Sequence, residues 1–585
     1  MKKIAAELLI ERLIDWGVDT IFGLPGDGIN GITEALRRHQ DKMRFVLVHH
    51  EEAAAFMATG YAKCTGKLGV CLATSGPGGI HLLNGLYDAK LDHQPVLALT
   101  GMQETQLLGT GYQQEVHLEK LYEDVAEYDA MVLVPVQIPT LVDIAVKTSL
   151  AHRTVSHITF PVDIQLADAD LNPYDNFAPA RSPHTAPIFI PAPGLPREAD
   201  LRRAADVLNQ GKKVVLLAGA GAIGAGEELR QVAELLGSPV VKTLSGKSAF
   251  PDDDPYCTGG IGLLGTRPSE DAMSGCDTLF MVGTNFPYTK HLPEKARTVQ
   301  VDWSPTRAGN RVPTEVPLVG DAKETLQALL PMLNRKEDRG FLEDAQKGMK
   351  EWWEKVRALA DPGRDPIQPQ YLAELIDRFA SDDAILSSDS GTIATWSARQ
   401  FVIRGNRRYM LSGNLATMAP GLPYTIAAQW AYPGRQCIAF VGDGGFAMLM
   451  AEFLTAVRHK LPVKVFINNN HVFGQILWEQ MVLGFPEFGV RHAGIANFAA
   501  FAEANGGKAY RVEKAVDLEA AVRGALEHDG PALVDCVTNP EEPPLPAKVS
   551  YAQAKGFAEA FLRGQPHRAT IASTLFRDKI DELKA

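Results

Sequence analysis

Asp443 closes the run Cys437-Ile438-Ala439-Phe440-Val441-Gly442-Asp443-Gly444-Gly445, and Asn470, second of the amide pair Asn469-Asn470, lies 27 residues further on. Cys437 to Val441 reads as a buried strand, Phe446 to His459 as a helix with Met448, Leu449, Phe453, Leu454 and Val457 turned inward, and Val463 to Ile467 as the next strand. A strand, a crossover and a strand in this length make a parallel βαβ unit, so acid and amide emerge at the same sheet edge, where α/β folds hold ligands. Two hard oxygen donors beside the glycines 442, 444 and 445 suit Mg²⁺, which takes few protein ligands and completes its shell with phosphate oxygens. Gly-Asp-Gly alone is a common turn. The amide at this spacing makes the pattern a candidate diphosphate–magnesium site.

Three other loops carry candidate chemistry. Val48-His49-His50-Glu51-Glu52 stands at a strand-to-helix junction. Acids in a first helical turn are favoured by the helix dipole and by capping, while a pocketed carboxyl there can share a proton with a heterocyclic nitrogen. Thr74-Ser75-Gly76-Pro77-Gly78-Gly79 follows the next strand and lets backbone approach a ligand, as does any tight turn. Gly219-Ala220-Gly221-Ala222-Ile223-Gly224 has GxGxxG spacing between strand and helix, which fits a dinucleotide or a tight βα turn. The following strand ends in Lys242 rather than a ribose-binding acid, which weakens NAD and leaves a flavin dinucleotide open. Thr284, Asn285 and Asp302, at two later strand ends, are placed to reach the same ligand or to cap helices.

These loops need sheets to carry them. The 585 residues exceed one core, and the alternation of strand and helix patterns predicts an α/β fold of three doubly wound parallel-sheet domains. The expected boundaries are 1–180, 190–335 and 365–545, with a helical tail at 546–585. Asn172 to Pro196 reads as a linker, and the charged stretch Asn334 to Asp361 as an exposed helical connector. A net charge of −12 argues against a nucleic-acid partner. Six cysteines without a CxxC pair read as free thiols in a reducing compartment. No apolar stretch is long enough to cross a bilayer and the first residues lack a signal-peptide pattern, so a cytoplasmic protein is expected.

Together the loops resemble the thiamine-diphosphate enzymes of the pyruvate oxidase and acetolactate synthase group. The resemblance runs from Phe22-Gly23-Leu24-Pro25-Gly26 to Gln553-Ala554-Lys555-Gly556-Phe557. It leans to the pyruvate oxidase and quinone-linked pyruvate dehydrogenase branch through Gly283-Thr284-Asn285-Phe286-Pro287-Tyr288 and Val319-Gly320-Asp321. The resemblance implies that Glu51 hydrogen-bonds the cofactor's aminopyrimidine, whose imino nitrogen then removes the thiazolium C2 proton so that the carbanion can attack a 2-oxo acid. It also implies that Pro25, Gly26, Ser75 and Gly76 line the cofactor. Met418, within Ala416-Thr417-Met418-Ala419-Pro420-Gly421, matches the apolar prop of its bent form, although a core methionine looks identical. Asp443, Asn470 and the Val472 carbonyl match the magnesium ligands. Gln114, Gln475 and Glu479 are further catalytic candidates, and an ordinary exposed helix carboxylate explains Glu479 equally. FAD is implied in the middle domain against Gly219, Gly221, Thr284, Asn285 and Asp302. A homodimer is the implied minimum, because the two ends of the cofactor are held by different subunits, and a homotetramer is expected.

Two positions depart from the oxidases. Gln113 and Gln475 stand where phenylalanines are usual, which makes the pocket more polar and opens carboligation with a structural FAD as the alternative reaction, beside a non-oxidative decarboxylation of the 2-oxo acid. The tail from His567 to Ala585 forms a helix with Ile571, Leu575, Phe576, Ile580 and Leu583 along one side. Its mixed charge favours packing on protein over peripheral membrane contact.

Overall fold

The computed structural model describes residues 2–171, 186–191, 194–492, 496–546 and 549–584, with side chains to 580. Its frame is three sheets of six parallel strands each. The first comprises β1 (Thr20–Gly23), β2 (Arg44–Leu47), β3 (Gly69–Ala73), β4 (Val96–Met102), β5 (Ala126–Met131) and β6 (Val155–Pro161), in the order β2-β1-β3-β4-β6-β5. The second comprises β7 (Val214–Ala218), β8 (Val240–Lys242), β9 (Cys257–Gly260), β10 (Thr278–Val282), β11 (Arg297–Asp302) and β12 (Val316–Val319), ordered β12-β11-β10-β7-β8-β9. The third comprises β13 (Ile385–Ser388), β14 (Arg408–Met410), β15 (Cys437–Gly442), β16 (Lys464–Asn469), β17 (Lys508–Val512) and β18 (Ala532–Val537), ordered β14-β13-β15-β16-β18-β17. Helices cover both faces, which is why strands such as Val214–Ala218 are buried at every position and read as unbroken apolar runs.

The outer sheets share one topology and the middle sheet has another. In each outer sheet the winding reverses between its first and third strands, so the loops after β1 and β3, and after β13 and β15, flank a switch point. The middle sheet, renumbered from its own first strand, runs 3-2-1-4-5-6, the order of dinucleotide-binding sheets, with its switch between β7 and β10. First and third units also share one core. The helix Glu51–Thr65 packs on the helix Gly421–Ala431, with Phe56 edge-on to Tyr424 and Gly60 so close that a Cβ would lie 2.8 Å from the Tyr424 ring.

Some expectations are corrected. The stretch Phe446 to His459 is not one helix but two, Asp443–Met448 and Glu452–Arg458. The first ends at Leu449, whose φ of −129 and ψ of 30 leave the helical region and break the apolar period, so Met448 faces outward at 55% exposure while Leu449 and Phe453 are buried as expected. The connector does form a helix, Gly340–Ala358, but it buries Leu342, Ala345, Met349 and Val356, so it is packed rather than free-standing. The tail helix runs Arg568–Lys584. Ile571 is buried and Leu575 half-buried against Leu477, Trp478 and Met481, but Phe576 is 68% exposed and Thr574 lies inward instead. The packing turn is thus set one residue off the apolar row, while the Leu583 side chain and most of the segment 172–196 lie outside the described residues. All six cysteines are free, five of them buried. Among the described residues no helix is long and apolar enough to cross a membrane.

Candidate active site

Each outer switch point holds a set of the expected residues. In the first sheet, the loop after β1 carries Pro25 and Gly26 against the loop after β3: a Cβ on Gly26 would lie 2.5 Å from Thr74 Cβ, and Gly28 N donates to Thr74 Oγ1 at 3.1 Å. Gly76 has φ +60 and ψ −114, a backbone region open to glycine alone, and faces Gln114, whose own φ is +62. Buried Ser75 donates to Gln114 Oε1 at 3.3 Å and accepts from Gln103 Nε2 at 3.3 Å. Glu51 opens the helix Glu51–Thr65 and is 7% exposed, with its Oε2 2.9 Å from His81 Nδ1. His50 stacks on His81, ring centroids 4.6 Å apart.

In the third sheet, Asp443 follows β15. Its Oδ1 accepts from Gly444 N at 2.8 Å and its Oδ2 from His471 N at 2.7 Å, so the carboxylate lies directly beside the 470–471 backbone. Asn470 is 8% exposed, its Oδ1 accepting from Val472 N at 3.3 Å. Burial pushes the Asp443 carboxyl up to about 6 against the pull of those N–H groups, the mark of an anion that lacks a full counter-charge. Asp443 and Asn470 are thus brought to one backbone turn, a carboxylate and an amide of the kind that suits a hard divalent cation, whereas the Val472 carbonyl, the third expected ligand, accepts from Gly474 N at 2.8 Å. Gly442 has open space where a Cβ would stand, whereas one on Gly444 would lie 2.6 Å from the Phe473 ring and 3.3 Å from Met418 Cε. Gln475 and Glu479 pair at 2.9 Å on the outer side of the helix Gly474–Val482, where an ordinary surface interaction explains them as well as a substrate contact does.

Sequence reading missed Asp389, on the loop after β13. It is buried, its Oδ1 accepts from Gly421 N at 2.8 Å, and its Oδ2 has no partner and points where a Gly445 Cβ would be, 2.0 Å away. Burial pushes it up to about 7. Ser388-Asp389-Ser390-Gly391 follows a short buried strand that itself carries two serines, a weaker pattern than the run before Gly442-Asp443, and only the strand order places the two loops side by side.

In the middle sheet, the glycines of the GxGxxG stretch meet protein rather than open space. A Cβ on Gly219 would lie 2.3 Å from Thr284 Cβ, and one on Gly221 2.9 Å from Gly283 Cα, so the loops after β7 and β10 are zipped together at the switch point. Lys242 is buried and paired with Asp252 at 2.7 Å, away from any ribose role. Two features suit a ligand here. Asn285 Oδ1 is buried without a partner, and Asp302, 4% exposed and held above the usual carboxylate range by burial, ends β11.

Among the described residues no hydrogen bond or ion pair joins Glu51 to Asp443 or Asn470; the two sets meet through neighbours. Glu452, from the third unit, accepts His49 N and His50 N at 2.9 and 3.0 Å, fixing the backbone just before Glu51. Burial pushes Glu452 up to about 7, whereas an unfolded glutamate titrates near about 4.3. The fold therefore binds the extra proton between those values, and stability declines as pH rises across that window. Glu452→Gln keeps an oxygen for both N–H groups and removes the buried charge. Its melting temperature relative to wild type is expected to climb by several degrees from pH 4 to pH 8; a difference that stays flat with pH contradicts this account.

The comparisons with known proteins match this layout. The thiamine pyrophosphate enzyme N-terminal TPP binding domain matches residues 4–121, the central domain 201–329 and the C-terminal TPP binding domain 389–536. A Bacillus subtilis (strain 168) protein, YdaP, whose name records thiamine pyrophosphate and no reaction, is 39% identical over 561 residues, 96% of each chain. Pyruvate oxidase of Lactiplantibacillus plantarum is 32% identical, covering 93% of this chain and 90% of its own. Acetolactate synthase 2, chloroplastic, of Nicotiana tabacum is also 32% identical, covering 92% and 83%.

Proposed function

The chain belongs to the thiamine pyrophosphate enzymes, and from that premise we propose that it decarboxylates pyruvate or a similar 2-oxo acid oxidatively, passing two electrons to FAD and on to quinone or oxygen. When bound, thiamine diphosphate supplies the nucleophilic carbon and the electron sink. Glu51 holds the proton shared with the aminopyrimidine, and Pro25, Gly26, Ser75 and Gly76 shape its pocket. Asp443, Asn470 and the Val472 carbonyl hold Mg²⁺ at the diphosphate, and Met418, over Gly444, supports the cofactor's bend. Gln114, Gln475 and Glu479 border the substrate. A homodimer is the minimum unit in this reading, with the first domain of one copy facing the third domain of the other, and a homotetramer is the expected assembly.

The observation that carries the flavin half is the middle switch crevice, where the unpartnered Asn285 oxygen and Asp302 stand at the ends of β10 and β11 beside Gly219 and Thr284. The test is direct: mixed with pyruvate in the absence of oxygen, the purified protein is expected to bleach its flavin absorbance within the turnover time. Flavin that stays oxidised while CO₂ is released rules the redox step out. A second reading, carboligation with a structural FAD, is favoured by Gln113 and Gln475, whose amides replace an apolar wall. Acetolactate or acetoin as the main product decides for it.

A further inference from the structure

We propose that Asp92 of the first domain is a positioning residue for the third domain's loop 411–419, and so for Met418; this rests on the reading of Met418 as the cofactor's prop. Asp92 follows the helix Leu83–Leu91, at the end where the dipole disfavours an anion, so capping does not explain it. Instead its Oδ2 accepts from Gly413 N at 2.7 Å, and its Oδ1 accepts from Asn414 N and Asn414 Nδ2 at 2.8 Å each. Lys63, half-buried at the interface, donates to Asp92 Oδ2 at 2.7 Å and to the Leu411 carbonyl at 2.7 Å. One carboxylate and one ammonium from the first domain thus fix the loop's entry.

The far part of the loop needs such fixing. Ala416 and Ala419 have φ of +55 and +81, left-handed conformations that L-residues with a Cβ resist, and they bracket Thr417-Met418. Backbone strain of this kind persists only where the surroundings over-determine it. Asn84, again of the first domain, donates to Thr417 Oγ1 at 3.2 Å and to Glu52 Oε1 at 2.6 Å, tying the bracketed pair to the residue next to Glu51. Gly413 leaves no slack, since a Cβ there would lie 3.0 Å from Asp92 Oδ1. The loop is held in its strained form from outside its own domain.

The test uses Asp92→Asn in the full chain, with Asn84→Ala as a milder partner should the first fold poorly. In cofactor-free protein, amide hydrogen exchange across 413–418 is expected to quicken about tenfold or more in Asp92→Asn, and less in Asn84→Ala. Affinity for thiamine diphosphate with Mg²⁺ is expected to fall by about tenfold or more, the scale of losing hydrogen bonds to a charged group. Wild-type exchange and affinity in both variants overturn the proposal, as does a loosened loop that binds the cofactor unchanged. Met418→Ala separates the premises. Failure of the prop reading shows as a silent Met418→Ala beside a weak-binding Asp92→Asn; failure of the clamp shows as the reverse.

Discussion

Glu51→Gln is expected to lower turnover by about 10²- to 10⁴-fold, the range that a positioned acid–base group supplies, while leaving magnesium-dependent cofactor binding within a few-fold of wild type. The substitution is isosteric. Glu51 is nearly buried at the first turn of its helix, and a glutamine oxygen there still meets His81 and the helix dipole, so fold and pocket shape are retained. What is lost is the ability to trade a proton with a ring nitrogen. A simple helix-capping role, the other explanation for an acid at this position, predicts a small stability change and little effect on rate. The two explanations therefore separate on kcat against cofactor affinity, measured by turnover and by quenching of protein fluorescence on titration. Undiminished turnover removes Glu51 from the mechanism.

The parts of the site legible in the sequence are those that lie at the ends of strands joined by one short crossover, or just after a single apolar run. Asp443 with Asn470, and Gly76 after an apolar run, could be placed because period and spacing put them at the same sheet edge. Asp389 and His81 could not, because their meaning comes from strand order and from a contact across 30 residues of chain, neither of which leaves a local pattern. The helix break at Leu449 was hidden for a related reason: two short helices satisfy the same apolar spacing as one long helix. That spacing puts Met448 inward, whereas the break at Leu449 leaves it facing out. The spacing of the middle glycines fits a ligand loop and a tight βα turn alike, and their close approach to Thr284 and Gly283 is a tertiary contact that leaves no local pattern.

Asp443→Asn is expected to move two quantities in opposite directions, which makes it the sharper test of the metal site. Without metal, the carboxylate is a poorly compensated anion: burial raises it to about 6, and among the described residues the one ion-pair candidate within 4.0 Å is His492, at that limit. Replacing it with a neutral amide of the same shape keeps an oxygen for one of the Gly444 and His471 N–H groups, sets its NH₂ against the other, and removes the desolvation cost of the charge, so the cofactor-free variant should gain on wild type as pH rises and melt at or above it by pH 8. With Mg²⁺ and thiamine diphosphate the order reverses. Changes to groups that merely orient metal ligands cost about 10- to 100-fold in affinity, and loss of the one charged ligand should cost about 100-fold or more. Because bound ligand stabilises in proportion to the logarithm of its concentration over its dissociation constant, the rise in melting temperature on adding cofactor should shrink markedly in the variant. Removing the metal from wild type with a chelator should have the same effect. If Asp443→Asn keeps the full cofactor-induced rise, the cation is held elsewhere, and the pairing of Asp443 with Asn470 is a structural turn and nothing more.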